Sequence, residues 1–130
     1  MERLLIDTNA YTALMAGNTE VADILNRFAV VLLSPIVYGE LIDGFRQGSR
    51  EKENRLILER FCAKPRTTRL PITHSTAEWF SEIKHTLRSK RRPIPINDGW
   101  IAASCMEHGA HLLSFDSHFD AVDGLLKYPI

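Results

Sequence analysis

Leu4-Leu5-Ile6 and Val30 to Leu33 are short apolar runs and His111 to Phe115 reads as another short strand, each closed by a polar residue suited to open a helix or a turn: Asp7, Ser34 and Asp116. Between them the apolar residues recur at helical spacing, as in Val21, Ile24, Leu25 and Phe28. Short runs with no polar alternation are strands buried on both faces, which requires helices to cover them. The expected fold class is therefore α/β: a central, mostly parallel sheet of four to five short strands flanked by helices.

The rest of the chain fits that frame. Thr8 or Asn9 can cap a first helix running through Met15, which Gly17 ends, and Thr19 can cap a second. Ser34-Pro35 is a helix start, with Ser as cap and Pro in the first turn. Ser49 to Ala63 reads as an amphipathic helix, and Arg69 to Ile72 as a short edge strand, because Pro71 cannot serve a central ladder. A long helix is expected from Thr73 or Ser75 into the basic run Arg88 to Arg92. Pro93 to Ile96 must be extended, Asn97 or Asp98 opens a helix through Met106, and Leu125 to Ile130 suits a last strand.

A chain of 130 residues, 45% hydrophobic, suffices for one compact domain spanning 1–130. Sixteen basic and sixteen acidic residues balance, so any case for a nucleic-acid partner must come from local clusters. No membrane span or signal-peptide core is expected, since Asp7 interrupts the first apolar run. Cys62 and Cys105 fit no metal motif or disulfide framework, which suits reduced thiols in a cytoplasm.

In open parallel sheets, functional groups gather at the carboxyl ends of the strands. Asp7 and Asp116 follow strands, Glu40 lies on the helix after the second strand, and Asp98 begins the helix after the proline loop. The α/β reading can bring these four acids to one edge. Clustered carboxylates repel and raise one another's pKa, and a hard divalent cation relieves that. Oxygen ligands suit Mg2+ or Mn2+. Each residue also has an ordinary explanation: Asp7 and Asp98 as helix caps, Glu40 as a solvated helix residue, Asp116 as a turn aspartate. Arg88 to Arg92 similarly suits a solvated helix C-terminus as well as a phosphate contact. Trp79 and Trp100 suit core or interface better than base stacking. The five histidines form no i, i+4 pair and read as ordinary polar residues.

Three stretches together resemble the PIN-domain ribonucleases, specifically the VapC toxins of VapBC toxin–antitoxin pairs. They are LLIDTNAY at 4–11, SPIVYGELIDG at 34–44 and PINDGWIAASCMEHGAHLLSFDSHFD at 95–120, the last joining two of the family's blocks. The resemblance implies that Asp7, Glu40, Asp98 and Asp116 hold Mg2+ or Mn2+ for RNA hydrolysis, with Thr8, Asn9 and Ser114 steadying the carboxylates. Arg91 and Arg92 are candidates for RNA phosphate contact. It also implies a homodimer and a cognate antitoxin, for which the helices at 34–44 and 49–63 are the expected surfaces. A haloacid-dehalogenase-type phosphatase needs a second Asp where Asn9 stands, and a receiver-like domain needs paired acids near the first strand. A non-catalytic PIN-fold module for RNA or protein binding is the remaining alternative, and it should have lost acids that are all present here.

Overall fold

The computed structural model describes residues 2–130. Five strands form one sheet: β1 (Arg3–Ile6), β2 (Val30–Leu33), β3 (Thr67–Arg69), β4 (His111–Leu113) and β5 (Leu126–Lys127). Their order is β3-β2-β1-β4-β5, and every pairing is parallel. Leu4, Leu5, Ile6, Leu112 and Leu113 are fully buried, as runs without polar alternation require.

Six α-helices connect and cover the strands: α1 (Thr8–Met15), α2 (Thr19–Leu25), α3 (Pro35–Gln47), α4 (Glu51–Cys62), α5 (His74–Lys90) and α6 (Ile96–Glu107). A 3-10 turn spans Ser117–Ala121. Among the described residues, no helix is long and apolar enough to cross a membrane. Both cysteines are free thiols; burial pushes that of Cys105 up to about 12.

Several element starts differ from expectation by one residue, for a common reason: the residue just before the helix has the extended backbone that a cap needs. Asp7 (ψ 164°), rather than Thr8 or Asn9, caps α1, and Asn18 (ψ 110°), rather than Thr19, caps α2. Helix α6 begins at Ile96, before Asn97, with Pro95 in the cap position, so Asp98 lies inside the first turn. Strand β3 ends at Arg69 instead of running to Ile72. One further ladder bond, from the Leu70 amide to the Leu33 carbonyl, is made before Pro71 stops it.

Helices α5 and α6 pack closely. A Cβ on Gly99 would come within 3.0 Å of the Phe80 ring, and that ring stacks on Trp100 at 3.9 Å. This packing fixes the first turn of α6, and with it Asp98, against the end of the sheet.

Candidate functional site

The strand order reverses at β1, which has β2 on one side and β4 on the other. The crevice at such a reversal, beyond the carboxyl ends of the strands, is where open α/β sheets bind ligands. Here it is a cleft of about 670 Å³ lined by Asp7, Thr8, Asn9, Thr12, Glu40, Asp43, Asn97, Asp98 and Asp116. All four sequence-selected acids are in it, drawn from the ends of β1 and β4 and from α3 and α6. None of the lining residues is Lys or Arg.

The carboxylates are held by a connected set of hydrogen bonds. Asp7 Oδ1 accepts from the Thr8 amide at 2.8 Å, and Oδ2 accepts from the Ser114 hydroxyl at 2.6 Å. Ser114 Oγ in turn accepts from the Asp116 amide at 3.0 Å, so one hydroxyl ties the end of β1 to the loop after β4. Asn9 Oδ1 accepts from the Phe115 amide, fixing the same loop. The Thr8 hydroxyl donates to one oxygen of Glu40, and the Asn97 side-chain Nδ2 donates to the other at 3.2 Å. Thr8 and Ser114 thus donate to cleft carboxylates, whereas Asn9 bonds the backbone of the loop after β4 and no carboxylate.

Two of the acids titrate abnormally high. Asp7 is 5% exposed, and burial raises its pKa above the ordinary 3.8. The Ser114 hydroxyl and the Thr8 amide oppose that rise, while the negative charges of Asp98 and Glu40 reinforce it. Asp98 is raised for the same leading reason, with the His118 hydrogen bond opposing and Asp116 and Glu40 reinforcing.

His118, Asn97 and Asp43 are neighbours of the four acids that sequence reasoning missed. Asp43 follows Glu40 at i+3 on α3, a spacing that places both on one helix face and was legible. Asn97 precedes Asp98 and was read only as a helix start. His118 Nδ1 lies 3.0 Å from Asp98 Oδ2 and 3.0 Å from Asp116 Oδ1. The i, i+4 criterion could not find it, since its partners are two and twenty residues away.

Arg91 and Arg92 fall outside the cleft. Arg91 instead lines a neighbouring apolar groove of about 450 Å³, with Lys84, Arg88, Phe80 and Ile94. Ile96 and Gly99 of the groove flank Asn97 and Asp98 of the cleft, so the two depressions share the first turn of α6. Trp100 is half-buried against Phe80, whereas Trp79 stays partly exposed.

The family model for the PIN domain matches residues 4–125. The chain belongs to the PIN domain family. Among its relatives is Ribonuclease VapC4 of Mycobacterium tuberculosis, 28% identical over 124 residues, which make up 94% of this chain and 92% of that one. The DNA-bound VapBC structure from Salmonella typhimurium matches with a TM-score of 0.86 at 21% identity over 98% of each chain. VapBC2 from Rickettsia felis, bound to a promoter DNA fragment, matches with a TM-score of 0.85 at 20% identity over 97% of each chain. This PIN domain therefore shares with those two structures an entire fold, from β1 to β5.

Proposed function

We propose that this PIN domain is a metal-dependent endoribonuclease, the toxin of a type II toxin–antitoxin pair, which hydrolyses RNA phosphodiester bonds and so inhibits translation or growth. The observation that carries this reading is the convergence of Asp7, Glu40, Asp98 and Asp116 in a cleft lined by no Lys or Arg. A hard divalent cation fits that donor set: the ligand atoms are oxygens, and mutual repulsion contributes to the raised pKa of Asp7 and Asp98. When bound, Mg2+ or Mn2+ supplies Lewis acidity to the scissile phosphate and acidity to an attacking water.

The chain's own residues hold and orient. Asp7, Glu40, Asp98 and Asp116 are the ligands, directly or through water. Thr8 and Ser114 fix the carboxylates of Glu40 and Asp7 through the bonds described above, Asn9 steadies the loop that carries Asp116, and Asn97 holds Glu40 from the far side. Arg91, which lines the groove adjoining the cleft, and Arg92 next to it in the chain meet RNA phosphates. Ribonuclease VapC4 supports RNA as the substrate, and the VapBC structures support a cognate antitoxin as the partner. A homodimer in the cytoplasm, with antitoxin against α3 and α4, completes the reading. A non-catalytic module is disfavoured because every acid is present and braced.

Purified protein should cut RNA with Mg2+ or Mn2+ and stop on addition of EDTA. Asp98→Asn should lower the rate at least about 100-fold, since even supporting residues of metal sites cost 10–100-fold. Asp123→Asn should leave the rate unchanged, because Asp123 is exposed and bonded to Lys90 away from the cleft. Full cleavage by Asp98→Asn, or in EDTA, refutes the assignment.

A further inference from the structure

An imidazole nitrogen stands beside the cleft's oxygens. Asp98, Asp116 and His118 each offer one ligand atom, and the three atoms all lie within 4.8 Å of one another. With bonds of about 2.1 Å, as in octahedral divalent sites, neighbouring donors lie roughly 3.0 Å apart. His118 Nδ1 lies 3.0 Å from Asp98 Oδ2 and 3.0 Å from Asp116 Oδ1. The ring is held there by its own backbone: the His118 amide donates to Asp116 Oδ1 at 2.8 Å as the 3-10 turn begins, so the turn that caps on Asp116 also presents the imidazole.

We propose that His118 supplies a nitrogen ligand to the metal centre beside Asp98 and Asp116, and that this donor makes the centre select Mn2+ over Mg2+. The inference rests on the reading of the acidic cleft as a metal site and narrows it. Imidazole is a poor ligand for Mg2+, which demands hard oxygen, and a good one for first-row transition ions. Nδ1 has a free lone pair when the ring proton sits on Nε2; a proton on Nδ1 is released to solvent as the metal binds. The competing account makes His118 an imidazolium counter-ion, neutralising two carboxylates in the metal's place. The two accounts predict opposite signs. Removing a ligand weakens Mn2+ binding, whereas removing a competing cation strengthens it.

The test is calorimetric titration of the metal-free protein with Mn2+ alone and with Mg2+ alone, for wild type, His118→Ala, His118→Gln and Asp7→Asn. Thermal melts establish that each variant folds; His118 is half-exposed, so its loss leaves the core intact. His118→Ala should lose at least about tenfold in Mn2+ affinity, the low end of what metal-shell losses cost. Its Mg2+ affinity should change much less. His118→Gln, which offers a carbonyl oxygen instead, should bring the Mn2+:Mg2+ affinity ratio down towards that of an all-oxygen site. Pulsed EPR of the wild-type Mn2+ complex should show coupling to a directly bound imidazole nitrogen, absent in His118→Ala. An unchanged affinity ratio, tighter Mn2+ binding by His118→Ala, or no nitrogen coupling overturns the role of His118 while leaving the metal site standing. Wild type binding neither ion, or Asp7→Asn binding both as wild type does, overturns the metal site itself.

Discussion

Asp7 closes β1, caps α1 and shares the cleft with Asp98 and Glu40, and only the last of these roles calls for a charge. Asparagine caps about as well as aspartate, so Asp7→Asn keeps the Thr8 amide satisfied. Its raised pKa already includes the opposing Ser114 bond, so the folded cleft favours the neutral side chain. A carboxyl group whose folded pKa exceeds its unfolded value contributes stability that is complete below the unfolded value. That contribution is lost as pH rises through the folded value. Above the folded value metal-free wild type lacks it, whereas the asparagine does not titrate. Asp7→Asn exchanges the oxygen that accepts from Ser114 for an NH2 group, but burial outweighs that bond, so the variant should melt higher than wild type in EDTA near pH 7. The gap should close as pH falls towards 3.8, the ordinary aspartate value. Melts of both proteins across that range check the sign, and a variant that melts lower at neutral pH refutes the electrostatic account. Asp98→Asn is a second probe, in which the contact altered is the one to His118. The same residues show what the sequence made legible. Asp7, Asp98 and Asp116 could be found because each follows a strand or lies in the first turn of a helix, where chain direction alone puts it near the crevice; Glu40, in the second turn of α3, was legible only with the block SPIVYGELIDG around it. His118 could not, because its place depends on a 3-10 turn that no local pattern announces.

At the scale of elements, helices and strands were legible from apolar runs and their punctuation, while boundaries were decided by backbone geometry. The end of α5 is the instructive case. The basic run from Arg88 to Arg92 suits a helix C-terminus, and the helix does end within it. The closure is a Schellman turn: the Arg91 amide donates to the Arg88 carbonyl, and the Arg92 amide donates to the Leu87 carbonyl. This turn puts Arg91 in the left-handed region at φ 54°, where the usual occupant is glycine. Arg91→Gly should therefore stabilise the protein by about 0.5–1 kcal/mol, read as a shift in denaturation midpoint at constant slope. If Arg91 meets phosphate, the same variant should bind RNA less tightly and with a salt dependence shallower by about one unit. Gains in stability and losses in affinity from one substitution would mark a strained residue retained for its charge. Gain without loss would leave the run as a solvated helix end.

Across the whole molecule, the cleft joins segments separated by most of the chain. Asp7 ends a strand buried at the centre of the sheet, Glu40 lies on α3, Asp98 on α6, and Asp116 follows β4. A ligand held by all four is anchored to the core at four points. No fraying terminus or loop opening releases it while β1 and α6 stay packed, so its binding free energy should appear in global unfolding rather than in a local event. A ligand that binds only the folded state stabilises by about 2.7 kcal/mol when its concentration is roughly a hundredfold above Kd. For a domain of this size that corresponds to roughly 10 °C in Tm. Wild type should therefore melt about that much higher in saturating Mn2+ than in EDTA. Asp7→Asn and Asp98→Asn should gain much less, and Asp123→Asn should gain as wild type does. The two cleft variants start from different metal-free stabilities, since one trades repulsion against the Ser114 hydrogen bond and the other against the His118 contact. The quantity compared is accordingly the metal-induced shift of each protein and not its absolute Tm. Equal shifts in all four proteins would place the ion elsewhere on the surface, and the four carboxylates would then share a cleft without sharing a metal.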